Sequence, residues 1–169
     1  MKFKLFFLTL ILIVSCTNPF APKLVKENLL NSSFLTELNS PQAVLTNFRY
    51  AYVFKDSLIY SEIIDSSFTF ISTNYSSTPP TPINWGRDDD LKTTAKLFRF
   101  FRDINLTWGD TLSSNINENR DEADIKLIFT LTFDNGIEIP TLKGEAFFNF
   151  KKKKTGKWAI IRWEDLSSF

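Results

Sequence analysis

From residue 104 onward apolar and polar residues alternate with a period of two, so this part of the chain reads as strands. Ile104, Leu106 and Trp108 alternate with polar neighbours, and Ile125, Leu127, Phe129, Leu131 and Phe133 repeat the pattern over nine residues. Asp134, Asn135 and Gly136 follow as a hairpin turn, because Asn and Gly tolerate positive φ. The next strand spans about residues 137–152, bent near Pro140 or Gly144, with Ala146, Phe148 and Phe150 on one face. Thr155 and Gly156 turn it into a last strand over residues 158–165. Strict alternation there puts Trp158, Ile160 and Arg162 on one face and Ala159, Ile161 and Trp163 on the other.

Before residue 104 the apolar spacing is three and four. Ser40 and Pro41 supply an N-cap and a first helical position, and Val44, Phe48, Ala51 and Tyr52 form a stripe. Asp56 and Ser57 break this helix and cap a second one carrying Leu58, Ile59, Ile63 and Ile64. Residues 68–71 read as a short strand. Residues 72–85 hold Pro79, Pro80 and Pro82 among Ser, Thr and Asn, and are expected to form a long loop. Asp88, Asp89 and Asp90 open a third helix, where negative charge suits the positive end of its dipole. Leu91, Ala95, Phe98 and Phe101 mark its expected buried face. Helices grouped before an antiparallel sheet make an α+β domain.

The start of the chain has a different character. Lys2 and Lys4 precede an apolar run over residues 5–14, broken only by Thr9. That run is too short to cross a hydrocarbon core of roughly 30 Å and has the length of a signal-peptide core. Ile13, Val14, Ser15 and Cys16 resemble the lipobox of bacterial lipoproteins, in which the cysteine is lipidated and becomes the new N-terminus. The resemblance implies a signal peptide over residues 1–15, a palmitate-bearing anchor at Cys16, a tether over residues 16–39, and a domain over residues 40–169. It places the protein at the cell envelope, on the periplasmic side of the outer or inner membrane or at the cell surface. Thr17 after the cysteine is similar to lipoproteins sent to an outer membrane. Cys16 is the one cysteine, so no internal disulfide forms.

Composition narrows the chemistry. The chain has 20 basic and 19 acidic residues, a balance that argues against a nucleic-acid footprint. Lysines 151–154 are read as the solvated end of a hairpin, with anionic lipid or an acidic partner as the alternative contact. The sequence contains no histidine, which removes the commonest general base and metal ligand. No zinc spacing, calcium loop or phosphate-binding glycine loop is present, so neither metal nor cofactor is expected. The 18 phenylalanines and four tryptophans either fill a wide core or line a pocket.

The element order is similar to that of the NTF2-like superfamily, the cystatin-like cone shared by nuclear transport factor 2, SnoaL-type cyclases and ketosteroid isomerase. The likeness covers residues 40–166. It rests on Ser40 and Pro41, on Phe48 to Tyr52, on Tyr60 to Phe70, on Trp85 before the third helix, and on the closing Trp158 to Asp165. It implies three helices packed on a strongly curved antiparallel sheet, and a cone that in some members holds an Asp and a Tyr for proton transfer. Asp65 with Tyr50, Tyr52 or Tyr60 would be the counterparts here. Tyr52, Tyr60, Asp65, Trp85, Trp108 and Arg162 are the candidate pocket residues. Arg162 is either an anchor for an anionic or carbonyl ligand or a surface partner of Glu145 or Glu164. The expected function is a non-catalytic, membrane-anchored module that binds a small apolar ligand or a protein partner, with a homodimer formed through the sheet face. The alternative is a small lyase or isomerase acting on a hydrophobic carbonyl compound.

Overall fold

Ser40 caps the first helix, α1 (Pro41–Phe54), by accepting a hydrogen bond from the Ala43 amide at 3.1 Å. Its buried stripe contains Val44, Phe48, Ala51 and Tyr52 as the spacing predicts. Lys55, in the left-handed region at φ 55°, ends it. Asp56 then accepts from the amides of Leu58 and Ile59 and starts α2 (Ser57–Ile63). In the computed structural model, residues 35–137 and 140–167 are described. The leader, Cys16 and most of the tether segment lie outside them. Thr36 and Leu38 already belong to the folded unit: Asn47 bonds both the amide and the carbonyl of Thr36, and Leu38 is buried.

Ile64, expected on the second helix, instead opens a strand. The adjacent β-branched Ile63 and Ile64 favour extended backbone, and β1 runs Ile64–Asn74. The expected long loop is a second correction. Thr81–Gly86 forms β2, which pairs with β1 through Phe70 opposite Trp85 and Thr73 opposite Pro82. Prolines are tolerated because β2 is an edge strand, where a missing N–H need not leave a ladder bond unmade. Helix α3 (Arg87–Phe100) follows, then β3 (Asp103–Ile116), β4 (Glu122–Asp134), β5 (Thr141–Lys152) and β6 (Trp158–Asp165).

The six strands form one curved sheet in the order β2-β1-β6-β5-β4-β3. Strands β3 to β6 are the expected antiparallel meander, and β1 joins it by pairing in parallel with β6. All three helices cover the same face. On β4 the inward set is Ala123, Ile125, Leu127, Phe129, Leu131 and Phe133, all buried. Register shifts on β3 near Thr111 and on β5–β6 mark β-bulges, which bend a sheet.

The bulge on β6 overturns the predicted faces of that strand. Phe150 pairs with Ile160, but Asn149 pairs with Arg162 and Phe148 with Trp163. Ile161 is the extra residue. Phe148 and Phe150 share a face, so Ile160 and Trp163 share it too, and Arg162 points to the opposite side. The sequence signal was the doubled Ile160-Ile161, which allows a phase change without exposing much more apolar surface.

Close approach requires glycine at one point in the sheet. A Cβ on Gly144 would lie 1.7 Å from Ser167 Oγ and 2.7 Å from Ser167 Cβ. Ser167 is buried against this strand, and the preceding Leu166 amide donates to the Glu145 carbonyl. Gly144→Ala is expected to destabilise by about 1 kcal/mol, the low end for overpacking, since the tail after β6 can shift. Urea denaturation checks this, and an unchanged midpoint would show that the tail contributes nothing.

Candidate functional site

The buried face of α3 is rotated from the predicted stripe. Its centre runs through Asp90, Thr94 and Phe98, which are 2%, 5% and 5% exposed, while Leu91 and Ala95 flank it half-buried. Asp88 and Asp89 keep the expected solvent-facing role, near Arg87 at 4.0 Å and Lys92 at 3.6 Å. Asp90 does not. Helical geometry turns it about 100° further round, under α2 and β2, and into the space between helices and sheet.

There Asp90 is bonded from two sides. Tyr60 of α2 donates its hydroxyl to Oδ2 at 2.7 Å, and Trp85 of β2 donates its indole N–H to Oδ1 at 3.0 Å. Burial raises the Asp90 carboxyl above its ordinary 3.8, and the bonds from Trp85 and Tyr60 oppose that rise. Tyr52 and Tyr60 are fully enclosed. Burial pushes the Tyr52 hydroxyl up and the charge of Asp90 adds to it, while hydrogen bonds from Thr94 and Tyr60 pull the other way. Tyr60 is raised by burial first, then by Tyr52 and Asp90. The result is one carboxyl and two phenols in a common low-dielectric space, each shifted toward its neutral form relative to water.

Aromatic rings fill the surroundings. Phe48 stacks on Tyr52 at 4.8 Å and meets Tyr60, Trp108, Phe148 and Trp163 at 5.4–5.7 Å between ring centroids. Phe98 closes on Tyr52 at 5.2 Å. Trp108 also donates its indole N–H to the Leu45 carbonyl at 3.0 Å, which ties β3 to α1. Trp163 Nε1 is buried with no hydrogen-bond partner among the described residues.

Of the six pocket candidates, the structure therefore gathers Tyr52, Tyr60 and Trp85 around Asp90, with Trp108 one ring away. Asp65 lies elsewhere, in the irregular stretch of β1 between Ile64 and Thr69. It accepts from the Ser67 amide and from the Ser66 and Ser67 hydroxyls, and it faces Lys153 at 3.6 Å. Burial raises its carboxyl, but the Ser67 bonds, Lys153 and Ser66 outweigh burial and hold it low. Arg162 stands on the outer face of the sheet, half-exposed, and donates to Glu164 at 2.7 Å. It is thus paired as one of its two sequence readings foresaw. Asp90 is the residue that sequence reasoning missed. The available signal was Thr94 four residues on, since two polar residues at that spacing before Phe98 mark a polar row on a helix that also needs a buried face.

The outer face carries a shallow cleft of about 470 Å³, lined among others by Thr69, Asp124, Asn149, Ile161 and Arg162. It does not border the Asp90 cluster. Among the described residues no group of carboxylates is placed to hold a metal ion.

No family model matches the chain, and no curated protein matches it. Solved structures do. A protein of Novosphingobium aromaticivorans described as a scytalone dehydratase superposes with a TM-score of 0.63 at 16% identity, over 84% of this chain and 87% of that one. An NTF2-like superfamily protein of Salmonella enterica serovar Typhimurium gives 0.59 at 10% identity, over 75% and 87%. A cystatin-like protein of unknown function from Nostoc punctiforme gives 0.54 at 13% identity, over 73% and 85%. At these identities the likeness speaks for architecture alone. This chain has the NTF2-like, cystatin-like fold, three helices laid on one face of a curved six-stranded sheet.

Proposed function

We propose that this protein is a lipid-anchored envelope protein whose NTF2-like domain binds a partner and turns over no substrate. The observation that carries this reading is the packed interior around Asp90. Both carboxylate oxygens already accept hydrogen bonds, and Phe48 packs against the rings of Tyr60 and Phe148 beside them. Binding then falls to the outer face of the sheet, and the partner proposed is a second copy of this chain. That face presents Ile128 and the half-buried Ile71, Phe147 and Ile161 between two ion pairs, Lys126 with Glu145 and Arg162 with Glu164. Mixed charge around an apolar strip suits an interface that must complement itself. Among the described residues no helix is long and apolar enough to cross a membrane. The proposed attachment rests on the lipobox-like Ile13-Val14-Ser15-Cys16 and an acylated Cys16.

Two measurements test it. Cells fed an alkyne fatty acid should label the wild-type protein and leave Cys16→Ala unlabelled; label retained on the variant removes the anchor. Sedimentation of the detergent-extracted protein should give a dimer that Ile128→Glu dissociates. A wild-type monomer, or a dimer indifferent to the substitution, rejects the sheet interface.

A second reading has one observation in its favour, the raised Asp90 carboxyl beside two tyrosine hydroxyls. In a lyase or isomerase of hydrophobic carbonyl compounds, Asp90 would move the proton and Tyr60 would polarise the carbonyl. This needs the interior to admit a ligand. Titration with hydrophobic ketones while following tryptophan emission separates the two: a saturable change lost in Asp90→Asn supports the enzyme, and no change supports the packed binder.

A further inference from the structure

We propose that the end of the sheet carrying the β5–β6 turn docks on a membrane surface of anionic headgroups. The proposal rests on the reading of Cys16 as a lipid anchor. Three segments meet at this end. The Trp158 amide, at the first residue of β6, donates to the Leu38 carbonyl at 2.7 Å, so the chain coming from the anchor side joins the sheet beside the lysine turn. The Lys152 amide donates to the Asp121 carbonyl at 2.7 Å and ties that turn to the one between β3 and β4. Asn39, Pro41, Ile116, Arg120, Lys152 and Trp158 share a cleft of about 500 Å³ between them.

The charge of this end fits an anionic surface. At this end Arg120, lysines 151–154 and Lys157 outnumber the carboxylates of Asp65, Glu118, Asp121 and Glu122 by six to four. Lys153 reaches Asp65 at 3.6 Å, whereas Lys151, Lys152, Lys154 and Lys157 are exposed and form no ion pair among the described residues. Ile116, 52% exposed, adds an apolar side chain beside them. Long lysine stems over such a residue let ammonium groups meet headgroups while apolar atoms approach the acyl boundary.

Tethering favours the same orientation. Cys16 precedes Leu38 by about 22 residues, at most roughly 75 Å of chain. Turning the other end of the sheet to the bilayer would consume much of that reach, because β4 alone, at 13 residues, spans about 43 Å. With the lysine end down, the tether needs no extension and the ammonium groups lie within a Debye length of the lipid phosphates.

The test uses the full acylated chain, in which Cys16 carries lipid and an introduced cysteine is the sole free thiol. A fluorophore is placed at Thr155→Cys in the lysine turn or at Ile137→Cys beyond the opposite end of β4. Vesicles contain phosphatidylcholine, with or without phosphatidylglycerol, and a headgroup spin label as quencher. The Thr155 probe should be quenched several-fold more than the Ile137 probe in phosphatidylglycerol vesicles. The excess should vanish in about 0.5 M salt, without phosphatidylglycerol, and in Lys152→Gln/Lys154→Gln/Lys157→Gln. Equal quenching of the two probes, or an excess indifferent to salt and to the lysines, overturns the docking. Flotation scores the anchor separately. A chain that floats with equal quenching keeps the anchor and loses the docking, and one that fails to float loses both.

Discussion

Phe48→Ala is expected to lower the unfolding free energy by about 3–5 kcal/mol, the range for removing a buried aromatic ring. Phe48 is 1% exposed and touches the rings of Tyr52, Tyr60, Trp108, Phe148 and Trp163. These come from both helices of the α1–α2 pair and from three strands, so no single element can close the hole. Urea denaturation followed by far-ultraviolet dichroism measures the loss. Phe48→Leu, which keeps much of the volume, should recover more than half of it. A cost below about 1 kcal/mol for the alanine variant would mean that the interior collapses freely, and it would weaken the case against a ligand cavity.

Tyr60→Phe is expected to cost about 1.5–3 kcal/mol near neutral pH, the value for a hydrogen bond to a charged group. It strips Asp90 of one of its two donors while keeping the ring. The pH dependence follows from the raised carboxyl of Asp90. Below the ordinary value of 3.8 the group is protonated whether the chain is folded or not. As pH climbs past that value, the unfolded chain releases the proton first, so the folded state binds more protons and stability falls. The fall ends once pH exceeds the raised folded value. The stability of wild type minus that of Asp90→Asn should therefore fall as pH rises across this window and stay level above it. Asp65 and Asp134, both held low, act in the opposite sense but equally in both proteins, so they cancel in the difference. A difference independent of pH would show that Asp90 titrates normally. The loss in Tyr60→Phe should run the other way and be smaller at acid pH, where the protonated carboxyl needs the donor less.

The architecture was legible wherever periodicity was long and unambiguous. Nine residues of strict alternation gave β4, and the Ser40-Pro41 and Asp56-Ser57 pairs placed two helix starts to the residue. The strand pairing of residues 81–86 was hidden because prolines read as loop until it is known that the strand lies at an edge. Edge position is a tertiary fact with no local signature. Asp90 was hidden for a different reason. Three consecutive aspartates satisfy a helix N-terminus completely, so nothing in the local sequence asks for one of them to turn inward. Only Tyr60, thirty residues earlier, and Trp85, on β2, supply the donors that make its burial affordable.

The extra residue at Ile161 has a consequence for anyone tracing kinship to this chain. Upstream of it, odd and even positions of β6 carry one meaning; downstream they exchange it. A gapless comparison with a relative that lacks the insertion would match Arg162 to an inward-facing position and Trp163 to a solvent-facing one. Distant relatives aligned by letters would then seem to have lost their hydrophobic terminus, when all that changed was the count of residues before it.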